Sequence, residues 1–161
     1  MKKYFLHNDR MIVVFTNGKT LTIFFTPNSG KIYFRYKIDT ISNVKHPGIY
    51  IGVDNNGRNW FMHNHFENAR PMIENEEKFS KGQQLFLYDK QPSCGRTIVI
   101  ENGLKEILEA KPYDWIHYNC QTFVNIVCHS ESKSEDVERW VNRIFVSALF
   151  ILGFQIIKNV K

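Results

Sequence analysis

Three cysteines and six histidines are the residues of this chain with the most chemistry to offer. Cys120 lies in Tyr118-Asn119-Cys120-Gln121-Thr122-Phe123. Asparagine is a favoured helix N-cap, and an apolar helical pattern of Phe123, Val124 and Val127 begins just past the cysteine. A thiol in a first helical turn faces unpaired backbone N–H groups and the positive end of the helix dipole. Both lower its pKa, and the thiolate is the nucleophile. Cys128 sits mid-helix among apolar residues and reads as core filler. Cys94 lies in the turn-like Gln91–Arg96 stretch with no evident activator. Cys120 is therefore the candidate nucleophile.

Such a cysteine needs a histidine within hydrogen-bond reach and a group to orient that histidine. His7 belongs to a polar turn, and His117 and His129 read as local surface or packing residues. His46 opens an apolar strand, His46 to Val53. The Asp54–Gly57 turn returns the chain as Asn59 to Phe66, which carries His63 and His65. Alternation puts His63 and His65 on one face of that strand. One sheet can thus present His46 and a second imidazole together to the start of a helix. His63-x-His65 with His46 and Cys120 could also hold zinc. No further Cys/His spacing supports that, so neither a metal nor another cofactor is expected.

The elements that must position these residues are strands first and helices second. Met11–Thr16 and Thr20–Phe25 flank Asn17-Gly18, a tight-turn signal. Lys31–Tyr36 is a third strand, and the two histidine strands follow. Ala69–Phe79 is polar and reads as loop, and Gln84–Tyr88 as a short strand. From Thr97 the apolar period becomes helical, with Gly103 weakening the pattern and Pro112 ending it. A second helix starts near Cys120, and a third runs from about Glu135 into an apolar tail. This segregation predicts an α+β fold rather than a doubly wound parallel sheet. No repeat or low-complexity segment is visible.

Two motifs carry a family resemblance. His46-Pro47-Gly48-Ile49-Tyr50-Ile51-Gly52 resembles the H-x-[GA]-I-Y-x-G strand of the lecithin:retinol acyltransferase-like proteins, the circularly permuted branch of the NlpC/P60 papain-like superfamily. Tyr118-Asn119-Cys120-Gln121-Thr122-Phe123-Val124 is similar to that branch's N-C-E-x-F-[AV] helix start. The resemblance covers roughly residues 31–129. It departs from the acyltransferase members at Gln121, where they carry glutamate, and in a longer hairpin between His46 and His63.

The resemblance implies a papain-like antiparallel sheet packed against helices. It implies His46 as base, Cys120 as nucleophile, and His63 as the residue orienting the base, with His65 as the alternative. Asn119, Gln121 and Tyr50, inside the same motifs, are the expected support or oxyanion residues. The reaction would be thiol-dependent hydrolysis or acyl transfer at an ester or amide of a lipid or peptide. The rival is a catalytically inactive binding or membrane-associated module on the same fold.

With 161 residues, one domain is expected, over residues 1–140, followed by an apolar helix or tail over 141–161. Ile144–Ile157 (IFVSALFILGFQII) is too short to cross a bilayer as a helix but apolar enough to touch one. The net charge of +5 is spread along the chain, so no nucleic-acid partner is expected. An odd cysteine count without a CxxC pair suits a reducing compartment, and Met1–Arg10 lacks a signal-peptide apolar run. A cytoplasmic protein is the expectation, with the tail read equally as a membrane-associating segment or as a buried core helix or oligomer contact.

Overall fold

Among the described residues the named elements follow in the order β1 (Lys3–Leu6), β2 (Arg10–Val14), β3 (Thr20–Phe24), β4 (Ile32–Tyr36), β5 (Lys45–Asp54), β6 (Asn59–His65), β7 (Arg70–Asn75), α1 (Glu76–Ser80), β8 (Phe86–Leu87), α2 (Arg96–Glu109) and α3 (Cys120–His129). They come from a computed structural model that describes residues 1–36, 44–131, 137–139 and 141–142. The fold is α+β, with one eight-stranded sheet whose named pairings are all antiparallel.

The ten-residue β5 organises the sheet. Along one edge it pairs with β4 at its beginning, where His46 lies opposite Arg35, and with β3 at its end, where Val53 lies opposite Phe24. Along the other edge it pairs with β6, and β6 pairs with β7. A bulge between Tyr50 and Gly52 lets β5 serve both neighbours. Gly52 has φ +154°, and a Cβ there would lie 2.1 Å from the Phe24 carbonyl oxygen, so only glycine fits. The β5–β6 turn is closed by Asp54, whose Oδ1 accepts from the backbone N–H groups of Asn56 and Arg58. Its Oδ2 accepts from Arg58 Nε and Trp60 Nε1. Burial opposes ionisation of Asp54, but these bonds outweigh it and hold the carboxyl at about 2.

Helices α2 and α3 cover one face. Ile49, Ile51 and Met62 meet Val99, Leu104 and Phe123 there in the main apolar core. Gly103, which weakened the sequence pattern of α2, has a packing role. A Cβ at that position would come within 2.7 Å of the Met62 side chain. The opposite face holds a smaller cluster of Tyr50, Phe61 and Phe79, with Tyr33 and Leu85 against it, roofed by α1.

One sequence expectation needs correction, and two boundaries are added to the reading. Ala69–Phe79 is not a loop: it forms β7 and the start of α1. Pro71 is accommodated because, among the described residues, β7 is an edge strand paired with β6 alone, where a missing N–H is tolerated. Lys3–Leu6, not foreseen as a strand, pairs along β2 from Lys3–Val14 to Leu6–Met11. Helix α2 ends at Ala110, a left-handed C-cap with φ 51°, two residues before the proline expected to end it. Of the helix expected from Glu135, residues 137–139 and 141–142 are helical. The apolar tail Ile144–Ile157 lies outside the described residues. Among the described residues no helix is long and apolar enough to cross a membrane.

Candidate active site

The polar residues of interest gather at one end of the sheet, where β5 begins and β6 ends. His46 is the second residue of β5 and His65 the last of β6. Arg35 is the penultimate residue of β4 and Arg70 the first of β7. Alternation and register place Arg35, His46, His63, His65 and Glu74 on the face roofed by α1, with Phe61 and Phe79.

These side chains form a buried chain of hydrogen bonds. His46 Nε2 lies 3.1 Å from His63 Nδ1, with the rings edge to face. His63 Nε2 lies 3.0 Å from Glu74 Oε2. Phe79 covers them, with ring centroids 5.8 Å from His46 and 5.1 Å from His63. The strand beneath must be bare for this: a Cβ on Gly48 would lie 2.6 Å from the Phe79 ring. His46, His63 and Glu74 are all buried, a costly arrangement unless every polar group is paired.

Burial holds His63 below the ordinary imidazole pKa despite its carboxylate neighbour. Burial pushes the Glu74 carboxyl the other way, but the hydrogen bond and charge of His63, with His65, win and leave it below the usual carboxylate value. The pair is then an ionised glutamate and a neutral imidazole. A carboxylate can only accept, so His63 Nε2 carries the proton. Its Nδ1 is then an acceptor, and His46 Nε2–H donates to it. That logic fixes the tautomer of His46 and makes Nδ1 its basic nitrogen.

The thiol comes from the other side of the end of the sheet. Asn119 caps α3: its Oδ1 accepts from the backbone N–H groups of Gln121 at 2.9 Å and Thr122 at 3.1 Å, and its Nδ2 donates to the Trp115 carbonyl. Cys120 is the first residue of the helix and is buried. Asn64, between the two histidines of β6 but on the opposite face, donates from Nδ2 to the Tyr118 carbonyl at 2.9 Å. This bond ties the turn leading to Cys120 to the histidine strand. Its Oδ1 is buried without a partner. Arg35, across from His46, and Tyr113 both lie within electrostatic reach of Cys120. Burial first, and then the charge of Cys120, pushes the Tyr113 hydroxyl well above its ordinary value. Cys128, near the other end of α3, has its thiol pushed up by burial.

Of the residues singled out from sequence, the structure joins His46 to His63 and brings the cysteine-bearing turn to the same end of the sheet. His65 sits apart from that hydrogen bond: its Nδ1 accepts from Asn68 N at 3.2 Å and its Nε2 lies 3.8 Å from Glu74. Asn119 acts as a helix cap, and Gln121 is buried beside it. Tyr50 lies four residues further along β5, where its hydroxyl donates to Asn59 Oδ1. Among the described residues no group of three or more His, Cys, Asp or Glu side chains is arranged to hold a metal ion.

Sequence reasoning missed Glu74 and Arg35. Glu74 was hidden by the loop reading of its strand. Arg35 left a signal, as a charge inside the apolar run KIYFRY. The chain matches no family model, no curated protein and no solved structure.

Proposed function

We propose that the chain is a cysteine hydrolase or acyltransferase acting on an ester or amide, with Cys120 as nucleophile, His46 as base and His63 orienting the base. The observation that carries this reading is the buried chain Glu74–His63–His46, with bonds of 3.0 and 3.1 Å, at the end of the sheet where the capped N-terminus of α3 presents Cys120. Buried imidazole–carboxylate networks are expensive for packing alone and suited to holding one tautomer. The strand and helix motifs that resemble the lecithin:retinol acyltransferase-like branch support the same roles and a papain-like architecture.

In this reading His46 Nδ1 takes the thiol proton and remains bonded to His63 through Nε2. The sulfur attacks the substrate carbonyl carbon, and the resulting oxyanion is held by backbone N–H at the start of α3. Because the Asn119 side chain occupies the Gln121 and Thr122 amides, that role falls to the N–H of Cys120. The tetrahedral intermediate collapses to a thioester. The leaving alcohol or amine takes its proton from His46. Water or an acceptor amine or hydroxyl, deprotonated by His46, then releases the acyl group and restores the thiol. Glu74 is the fourth member, fixing the His63 tautomer. A cytoplasmic setting, where the thiols stay reduced, fits this chemistry.

The test is the pH dependence of alkylation of each cysteine, read by peptide mass spectrometry. Cys120 should react well below the ordinary thiol value near 8.5 and faster than Cys94. Equal or lower reactivity would reject the nucleophile. A Cys120→Ala variant should fold and lose all turnover on a panel of small esters and amides.

A second reading, a non-catalytic binding or membrane-associated module, is favoured by one feature. Phe66, Tyr113 and Trp115 form an aromatic cluster beside the site, with ring centroids 5.2–6.3 Å apart. Trp115 is 62% exposed and Phe66 54%. An unreactive Cys120 would make this reading the better one.

A further inference from the structure

Arg35 is a buried cation that the reaction outlined above does not use. It is 6% exposed, inside β4 and directly opposite His46. A guanidinium is not buried without fixed partners, because losing its hydration costs several kcal/mol. Two of its nitrogens have them. Nε donates to the Phe79 carbonyl at 2.6 Å, and Nη1 to the Tyr36 carbonyl at 3.2 Å. Both acceptors are main-chain oxygens, so they hold the plane of the group without cancelling its charge. Among the described residues Nη2 has no hydrogen-bond acceptor. Burial is the largest influence on the guanidinium and lowers its pKa; against it act the ionisable groups within electrostatic reach, Cys120 first and then Glu67 and Glu74. Glu74 is committed to His63, and Glu67 is bound to Lys81 at 2.7 Å. Cys120 is therefore the group whose ionisation the arginine is best placed to balance. From the other elements around the thiol, Tyr113 remains neutral, and His46 sits across the strand pair from Arg35.

We propose that Arg35 is a positioning residue for the thiol step: its clamped guanidinium is the fixed counter-charge of the Cys120 thiolate. The inference rests on Cys120 being the nucleophile. It divides the labour at the site. Arg35 and the helix N-terminus keep the sulfur ionised. The thiol proton rests on His46 Nδ1, passes from there to the leaving group, and is replaced by one taken from the incoming water or acceptor. Phe79 joins the two functions, since its ring covers the histidines and its carbonyl orients the arginine.

The experiment is iodoacetamide alkylation of Cys120 across pH in the wild type, Arg35→Met, Arg35→Lys and His46→Ala, with circular dichroism as the check on folding. Arg35→Met should raise the midpoint by about one pH unit. Arg35→Lys should restore most of that shift, which a purely structural role would not do. His46→Ala should cut turnover while leaving the midpoint below ~8.5. A folded Arg35→Met protein with the wild-type midpoint overturns the proposal. So does a His46→Ala midpoint that returns to ~8.5, which is informative even if Arg35→Met fails to fold. If wild-type Cys120 reacts no faster than Cys94, the nucleophile itself is wrong. If it reacts fast but ignores Arg35, only the counter-charge is.

Discussion

The two faces of the β5–β6 pair are built on opposite rules. Towards α2 and α3 they offer Ile49, Ile51 and Met62, whose burial needs no partners beyond close packing. Towards α1 they offer His46, His63 and His65, with Glu74 from β7 and Arg35 from β4. The first face stabilises the fold by area removed from water. The second is stable only while each donor finds its acceptor. The same strands therefore carry both the structural and the chemical demands of the protein, separated by the two-residue period of the strand.

Substitutions should separate the faces. Met62→Ala on the apolar side should cost about 2–5 kcal/mol in denaturant unfolding, the range for deleting a large buried side chain. It should leave the pH profile of Cys120 alkylation unchanged in protein that remains folded. A shift in that profile would mean that the faces are not independent. On the polar side, Glu74→Gln should cost less, about 1–3 kcal/mol, but lower turnover by about 10²-fold, because the His63 tautomer is no longer fixed. Full turnover in that variant would remove Glu74 from the site.

The polar face should also make stability depend on pH in a way the apolar face cannot. His63 has its folded pKa below the ordinary 6.5, so the unfolded chain binds that proton more readily. Its contribution is fully present above pH 6.5 and is lost as pH falls through the folded value. Glu74, held below 4.5, adds a second loss of the same sign at lower pH. Thermal unfolding should therefore show a falling Tm from about pH 6.5 downward, before the carboxylates titrate. His63→Gln should flatten that first limb, and an unchanged limb would assign it elsewhere. The smallest effect belongs to neither face. Gly57→Ala, at φ +75° with open space around it, should cost about 1 kcal/mol and alter no reactivity.

Much of this division could be read in the sequence. The alternation of β5 and β6, the Asp54–Gly57 turn and the Asn119 cap are local signals, and local signals survive in one dimension. Glu74 did not, because a proline and several charges masked an edge strand whose partner is known only from pairing. The choice of His63 over His65 rests on side-chain reach across β5 and β7, and spacing alone leaves both open. Gly48 and Gly103 appeared as a motif letter and a weak helix position. Each proves to be a place where another element comes too close for a side chain.

The site is joined at two very different ranges along the chain. His46 and His63 are 17 residues apart, and His63 and Glu74 are 11. The bond that seats the cysteine turn, Asn64 to Tyr118, spans 54. Closing short loops is entropically cheaper and faster than closing long ones. The Glu74–His63–His46 chain can therefore close before the Cys120 turn is seated against β6. On the proposed reading, a chain that has closed only its short loops holds the base without its sulfur, so reactivity waits on the longer closure.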